Sequence, residues 1–255
     1  MYAEERQQAI AASVARRGRL SVAEIASDYA VTTETVRRDL TVLERAGVVR
    51  RVHGGVVPAA ALTMIEIAVA ERDRAHAPEK ERIAQAGLDL LPEDGATVLL
   101  DAGTTLSRFA AHLPHDRKLT VITHAVPIAA RLAGQRQIDL RLLPGRVRRT
   151  TQAAVGADTV AALADLRVDV AFLGTNGVTS EHGLTTPDPD EAAVKRALVE
   201  SGRRVVALAD ASKFGIETAV RFAAPGEIDV LVTDSDVSAM DRRALTKAGI
   251  DVVVA

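Results

Sequence analysis

The chain of 255 residues contains no cysteine, which removes disulfides and thiolate chemistry. No apolar run approaches the roughly 20 residues of a membrane-spanning helix, so no membrane partner is expected. The opening Met1-Tyr2-Ala3-Glu4-Glu5-Arg6 is charged and leads into no apolar signal core. The expectation is therefore a cytoplasmic protein. Lysine is scarce, five against 27 arginines, which gives weight to any lysine that falls at the end of a strand. No internal repeat or low-complexity tract is present.

What remains is the composition of an ordinary globular protein, long enough for one small and one medium domain. The formal net charge of −2 hides an asymmetry. Residues 1–57 carry a net of +2 and the rest a net of −4. A mildly basic small domain followed by an acidic larger one fits a nucleic-acid binder with a separate regulatory body.

The first 57 residues read as a winged helix-turn-helix. Apolar Ile10 and Val14 give residues 3–16 a face to bury, and Gly18 stops that helix. Ser21-Val22-Ala23-Glu24 is a capping box that opens a short helix to about Tyr29. Ala30-Val31 makes a turn. Thr32 or Thr33 caps a third helix, with Val36, Leu40 and Leu43 on one face and Gly47 as its stop. Val48–Val52, a His53-Gly54-Gly55 turn and Val56-Val57 read as a β-hairpin.

Residues 58–78 are read as a helical linker, with a helix over Ile65–Arg74 and a break at Pro78. Glu79 is expected to open a helix that runs to Leu91. The domain from 79 to 255 then alternates strands and helices. Strands are predicted at 97–101, 119–123, 138–143, 168–173, 204–209, 229–233 and 251–254, with helices at 105–113, 125–133, 157–165, 191–201 and 239–248. Near-continuous Val, Leu and Ile in the strands predicts an α/β fold, a Rossmann-like parallel sheet covered on both faces.

Two sets of residues are candidates for function. In the third helix Thr32, Thr33, Thr35, Arg37 and Arg38 lie where a recognition helix meets base edges. Ser21 and the hairpin residues Arg50, Arg51 and His53 would contact flanking DNA. The alternative is a helical domain with a solvated charged face, and Asp39 would then serve to orient Arg37 or Arg38. The second set lies at carboxyl ends of strands, where ligands of open α/β sheets gather. It begins with Asp101, Gly103, Thr104 and Thr105, where a helix opens and free N–H groups meet an anion. Thr123 and His124, Gly145 and Arg146, and Gly174, Thr175 and Asn176 follow later strands. Lys213 supplies a point charge. Glu191 and Lys195 share one helix face, and their plainer reading is a surface ion pair.

The stretch Ser21-Val22-Ala23-Glu24-Ile25-Ala26, Thr33-Glu34-Thr35-Val36-Arg37-Arg38-Asp39-Leu40, then Arg51-Val52-His53-Gly54-Gly55, resembles DeoR-type bacterial repressors. The likeness continues through the second domain. The opening six residues and Gly174-Thr175-Asn176 look most like regulators of sugar phosphotransferase or fructose-utilisation genes in high-GC bacteria. The resemblance implies a repressor, a homodimer or homotetramer on double-stranded operator DNA, controlled by a phosphorylated sugar. It implies no catalytic residue, cofactor or metal. Effector domains of this family resemble ribose-5-phosphate isomerases and glucosamine-6-phosphate deaminases. In those enzymes turns matching Asp101, Gly103, Thr104, Thr105 and Lys213 grip a phosphate, and segments matching Asn176, Glu191 and Lys195 form the catalytic side. His124 stands where many relatives have Asn, and Arg146 where a second Gly is common. The competing reading is a sugar-phosphate isomerase or deaminase with a DNA-binding appendage.

Overall fold

The computed structural model describes residues 2–18, 20–46, 48–52, 55–58 and 69–255. The N-terminal part contains α1 (Ala3–Arg17), β1 (Leu20–Ser21), α2 (Val22–Asp28), α3 (Thr33–Arg45), β2 (Val49–Val52) and β3 (Gly55–Pro58). Ile10, Val14, Leu20, Ile25, Val36, Leu40, Leu43, Val49 and Val56 close one apolar core between helices and sheet. The expected capping box forms. Ser21 Oγ accepts from the Glu24 N–H at 3.1 Å, and the Glu24 carboxylate accepts from the Ser21 N–H at 2.7 Å. Thr32, of the two candidate threonines, caps α3. Strand β1 was not anticipated; it pairs antiparallel with β3, giving the order β1-β3-β2. That pairing requires glycine at position 55, where a Cβ would lie 2.4 Å from the Leu20 carbonyl oxygen. The expected stop at Gly47 and the turn residues His53 and Gly54 lie outside the described residues.

Asp39 does not orient Arg37 or Arg38. It is buried and pairs across to α1, accepting from Arg6 Nε at 2.6 Å and Gln7 Nε2 at 2.9 Å. The helical period turns it inward beside Val36 and Leu40, away from the exposed arginines. Asp39 therefore staples α1 to α3.

The second part begins with α4 (Val69–Arg74) and α5 (Ala77–Gly87). The upstream part of the helix expected from Ile65 lies outside the described residues. Pro78 does not break the chain ahead of a helix at Glu79. It sits within the first turn of α5, where its missing N–H costs nothing. The bend falls one step earlier, at His76, whose φ is 54°. Helix α5 ends at Gly87 and gives way to a 3-10 turn over Leu88–Leu90, short of the expected Leu91.

Seven parallel strands form the main sheet: β4 (Thr97–Leu100), β5 (Leu119–Thr123), β6 (Ile138–Leu142), β9 (Val168–Leu173), β12 (Gly202–Leu208), β14 (Val230–Thr233) and β15 (Asp251–Val254). Their order is β15-β14-β12-β9-β4-β5-β6. Side chains alternate between two cores, one on each face. Val98, Leu100, Val170 and Phe172 enter one, and Leu99, Ala171 and Leu173 enter the other. Helices α6 (Thr104–Ala111), α7 (Val126–Leu132), α8 (Ala157–Ala164), α9 (Pro189–Ser201) and α10 (Ala239–Lys247) connect the strands. Fold class and main strands agree with the sequence reading.

Two short additions were not among the predicted strands. A hairpin of β7 (Arg146–Arg148) and β8 (Ala153–Val155) follows β6, and β10 (Gly177–Thr179), β11 (Gly183–Thr186) and β13 (Val220–Ala223) make a small antiparallel sheet. Strands of three or four residues are too short for alternation to show in sequence. The chain runs outward from β4 through β5 to β6, then returns to β9 and proceeds the other way. The connections after β4 and β9 therefore diverge, which opens a crevice at their carboxyl ends. Among the described residues, no helix is long and apolar enough to cross a membrane.

Candidate functional site

Two surfaces bring the singled-out residues together. On the winged domain, Thr33, Glu34, Arg37 and Arg38 are exposed on the outer face of α3, opposite Val36, Leu40 and Leu43. Arg37 and Arg38 each face Glu34, at 3.8 and 3.5 Å, with side chains 56% and 80% exposed. Such exposed pairs contribute little and exchange readily for a stronger anion. Thr35 is half-buried and bonds the Thr32 hydroxyl at 2.9 Å, and the Ser21 hydroxyl is occupied with its cap. Arg50 and Arg51 belong to β2, but their side chains, like all of His53, lie outside the described residues.

The other surface is a cavity of about 280 Å³ at the strand ends, at the small end of the range for ligand sites. Asp101, Gly103, Thr104 and Thr105 form its floor after β4, and His124 borders it after β5. Gly174, Thr175 and Asn176 line it after β9, Glu191 and Lys195 enter from α9, and Lys213 follows β12. Thr123, Gly145 and Arg146 do not line it. The Thr123 hydroxyl is buried and donates to the Leu100 carbonyl at 2.8 Å. Arg146 is exposed and pairs with Asp190 at 2.7 Å, while Gly145, at φ 138°, packs against Thr159.

Asp101 is the electrostatic centre. It is fully buried. Burial alone would push its carboxyl up, yet the Lys195 ammonium, followed by His124, holds it well below the usual carboxylate range. One oxygen faces Lys195 Nζ and accepts from the Gly174 N–H at 2.9 Å, and the other faces His124 Nε2 at 3.0 Å. Lys195 also donates to the Gly174 carbonyl at 2.9 Å, tying the ends of β4 and β9 together. His124 Nδ1 lies 2.8 Å from the Ala154 carbonyl.

Glu191 and Lys195 are not a surface ion pair, nor do they pair with each other. Both are buried. Glu191 faces Arg148 Nη1 at 2.6 Å and accepts from the Thr186 hydroxyl at 3.4 Å. Arg148 also reaches Asp188 at 3.0 Å, so the β7–β8 hairpin is pinned to the start of α9. These carboxylates are consumed by the protein itself. Asp210 likewise accepts from the Ser212 N–H and hydroxyl. The groups left for a ligand are mainly donors. No side chain caps α6, whose first intrahelical bond is Ser107 N–H to the Gly103 carbonyl, so its leading amides are free of the helix. Lys213 has no carboxylate within ion-pair distance among the described residues.

Sequence reasoning missed Arg72, His76, Lys80 and Thr151, which also line the cavity. Arg72 and His76 reach it from the α4–α5 corner, read as linker, Lys80 from the first turn of α5, and Thr151 from the β7–β8 turn. Lys80 is only 4% exposed and donates to the carbonyls of Arg72 at 2.5 Å and Ala75 at 2.7 Å. Burial lowers its pKa to about 8, aided by Lys213 and Arg108 and opposed by Asp210 and Asp73. The scarcity of lysine was the one signal that could have found it. Three of the five lysines line this cavity, which marks it as a place where positive charge is used.

Comparison with known proteins matches two parts of the chain. Residues 6–60 match the DeoR-like helix-turn-helix domain, and residues 75–235 match the DeoR C terminal sensor domain. The HTH-type transcriptional regulator GlpR of Haloferax volcanii is 34% identical over 99% of this chain and 98% of its own length. The glycerol-3-phosphate regulon repressor of Escherichia coli is 30% identical over 92% of each chain. Among solved structures, ribose 5-phosphate isomerase A from Methanocaldococcus jannaschii covers 55% of each chain at 18% identity, with a TM-score of 0.41. The two family matches and the full-length relatives place the chain plainly: it is not an enzyme, and it belongs to the DeoR family of helix-turn-helix transcriptional regulators and repressors.

Proposed function

We propose that this regulator represses genes of sugar uptake or catabolism and that a phosphorylated sugar, a fructose or other hexose phosphate, controls its hold on operator DNA. The observation that carries the reading is the donor-rich cavity at the sheet's switch point. The free amides of α6, the Thr104 hydroxyl and the Lys213 ammonium converge on one small space whose carboxylates already have partners. A dianionic phosphate meets each of these needs, and the polar groups of Asn176 and Thr175 suit sugar hydroxyls. The printed name of the Escherichia coli relative, a glycerol-3-phosphate regulon repressor, is in keeping with a phosphorylated polyol.

On the DNA side, α3 presents Thr33, Arg37 and Arg38 to the major groove, with Ser21, Thr32, Thr35 and the hairpin residues Arg50, Arg51 and His53 at its flanks. The working form is a cytoplasmic homodimer or homotetramer, as paired half-sites require of a helix-turn-helix protein. Control follows from linkage: a sugar phosphate that binds one conformation more tightly shifts operator affinity by at most that difference, and operator DNA shifts sugar-phosphate affinity by the same factor. The test is operator binding measured by fluorescence anisotropy, with and without fructose 1-phosphate, fructose 6-phosphate and glucose 6-phosphate. A change in operator affinity of at least about fivefold with one of them is expected, the lower end of ordinary allosteric coupling. No response to any phosphorylated sugar or polyol would overturn the effector assignment.

A further inference from the structure

Two buried polar atoms of the cavity wall have no partner among the described residues: Arg72 Nε and Thr151 Oγ1. Both residues line the same cavity as the Thr104–Lys213 phosphate cradle. Thr151 is 8% exposed. Leaving such groups unpaired is costly, because the desolvation of a buried donor or acceptor is not recovered. The two residues come from segments held together by one bond, Arg72 Nη2 to the Thr150 carbonyl at 3.3 Å. Arg72 belongs to α4, the first described element after the winged domain. Its own carbonyl is gripped by Lys80 Nζ at 2.5 Å, and its neighbour Asp73 pairs with Arg108 of α6 at 2.8 Å.

We infer that Arg72 and Thr151 form a second ligand subsite that reads an oxygen-bearing, uncharged part of the ligand, and that a ligand bound there clamps α4 onto the β7–β8 turn. Arg72 Nε–H needs an acceptor and the Thr151 hydroxyl takes either role, so a sugar hydroxyl or carbonyl oxygen satisfies both. Inorganic phosphate, which has no such part, occupies the cradle alone. The inference rests on the sugar-phosphate reading above and deepens it. It makes the segment that leads out of the winged domain part of the ligand's own binding site. Ligand affinity and the position of α4 are then linked, which is the condition for a signal to leave the sensor domain.

The experiment uses the full chain and four probes: fructose 1-phosphate, fructose 6-phosphate, glucose 6-phosphate and inorganic phosphate. Affinities are measured by calorimetry for the parent, Thr151→Val and Arg72→Lys, and amide hydrogen exchange is followed over residues 69–80. Thr151→Val removes only a hydroxyl that has no partner, so it tests the idea even if Arg72→Lys disturbs the bond to Thr150. The expected result is that the ratio of sugar-phosphate to inorganic-phosphate affinity falls about three- to tenfold in each variant, the loss of one hydrogen bond. In the parent, the sugar phosphate slows exchange over residues 69–75 and inorganic phosphate does not. If a sugar phosphate binds the parent but Thr151→Val keeps the ratio and exchange over α4 is unmoved, the subsite is wrong while the sensor reading stands. If no sugar phosphate binds the parent, the sensor reading falls and takes the subsite with it.

Discussion

If the cavity binds a phosphorylated ligand, the buried Lys80 should make that binding depend on pH. Its pKa of about 8, against 10.5 for a free lysine, leaves the ammonium nearly fully formed at pH 7 and about one-tenth formed at pH 9. A phosphomonoester has its second pKa near 6, so the ligand is already a dianion across this range. If the dianion is held by the charged form of Lys80, binding must take up a proton above pH 8. Affinity then falls about tenfold between pH 7 and pH 9. The sign for folding is opposite. Because the folded-state pKa lies below the unfolded one, the unfolded chain binds more protons between about pH 8 and 10.5, and this group's contribution to stability rises with pH there. The assay is calorimetric titration of a binding sugar phosphate at pH 7, 8 and 9 in buffers of different ionisation enthalpy, for the parent and Lys80→Met. The variant should bind more weakly at pH 7 and show a flat profile. Parent affinities within twofold at pH 7 and pH 9, or an unchanged slope in Lys80→Met, would refute the reasoning and assign any slope to another group such as Lys213.

Three further outcomes are expected. Arg37→Ala and Arg38→Ala should each weaken operator binding by about 1–3 kcal/mol where the arginine reads a base, with relaxed discrimination at that position; anisotropy at matched salt checks this, and parent-like binding by both would remove α3 from the base-reading role. Lys213→Ala and Thr104→Ala should cut the effector response, Lys213→Ala by the stronger margin of about 1.5–3 kcal/mol for a charged hydrogen bond, and an intact response in both would overturn their assignment to the phosphate. Asp101→Asn should destabilise the sensor domain by about 3–5 kcal/mol, since it strands the Lys195 ammonium and His124; thermal denaturation reads it, and an unchanged midpoint would mean the network is solvated. The same carboxylate, held below its ordinary range, contributes stability above pH 4 that is lost as pH falls.

How much the sequence revealed follows from how far each feature depends on tertiary folding. The five inner strands of the main sheet were legible because each is a largely apolar run buried on both faces, and β9, Val168–Leu173, shows it best; the edge strands β6 and β15 are mostly exposed or half-buried. The cavity-lining residues after β4, β9 and β12 were legible for a related reason: a turn at the carboxyl end of a parallel strand is a position, and position there implies the crevice. The β7–β8 hairpin was not, because Arg146–Arg148 holds one apolar residue between two arginines. Arg72, Lys80 and Thr151 were missed together, since only the packing of α4, α5 and that hairpin against the sheet brings them to the cavity. Glu191 and Lys195 misled through local logic. A spacing of four places two charges on one helix face, but the face of α9 is buried, and each charge found a partner on another element. Asp39 misled in the same way.

The charge arrangement favours the proposed role of the cavity as a ligand sensor over a catalytic one. An acid-base catalyst needs a carboxylate or amine whose lone pair or proton is available to the substrate. Here Asp101 is divided among Lys195, His124 and the Gly174 N–H, Glu191 is taken by Arg148 and Thr186, and Asp210 caps its own turn. The Lys195 ammonium, held by Asp101 and the Gly174 carbonyl, is not a free nucleophile. The same bonds fix the ends of β4 and β9 before any ligand arrives, so little binding energy is lost in ordering them. The unpartnered atoms lie instead on α4 and the β7–β8 turn, where ordering can still occur. On the proposed reading, rigidity at the Asp101–Lys195 end and unpartnered atoms on α4 and the β7–β8 turn would direct binding energy toward a change in α4.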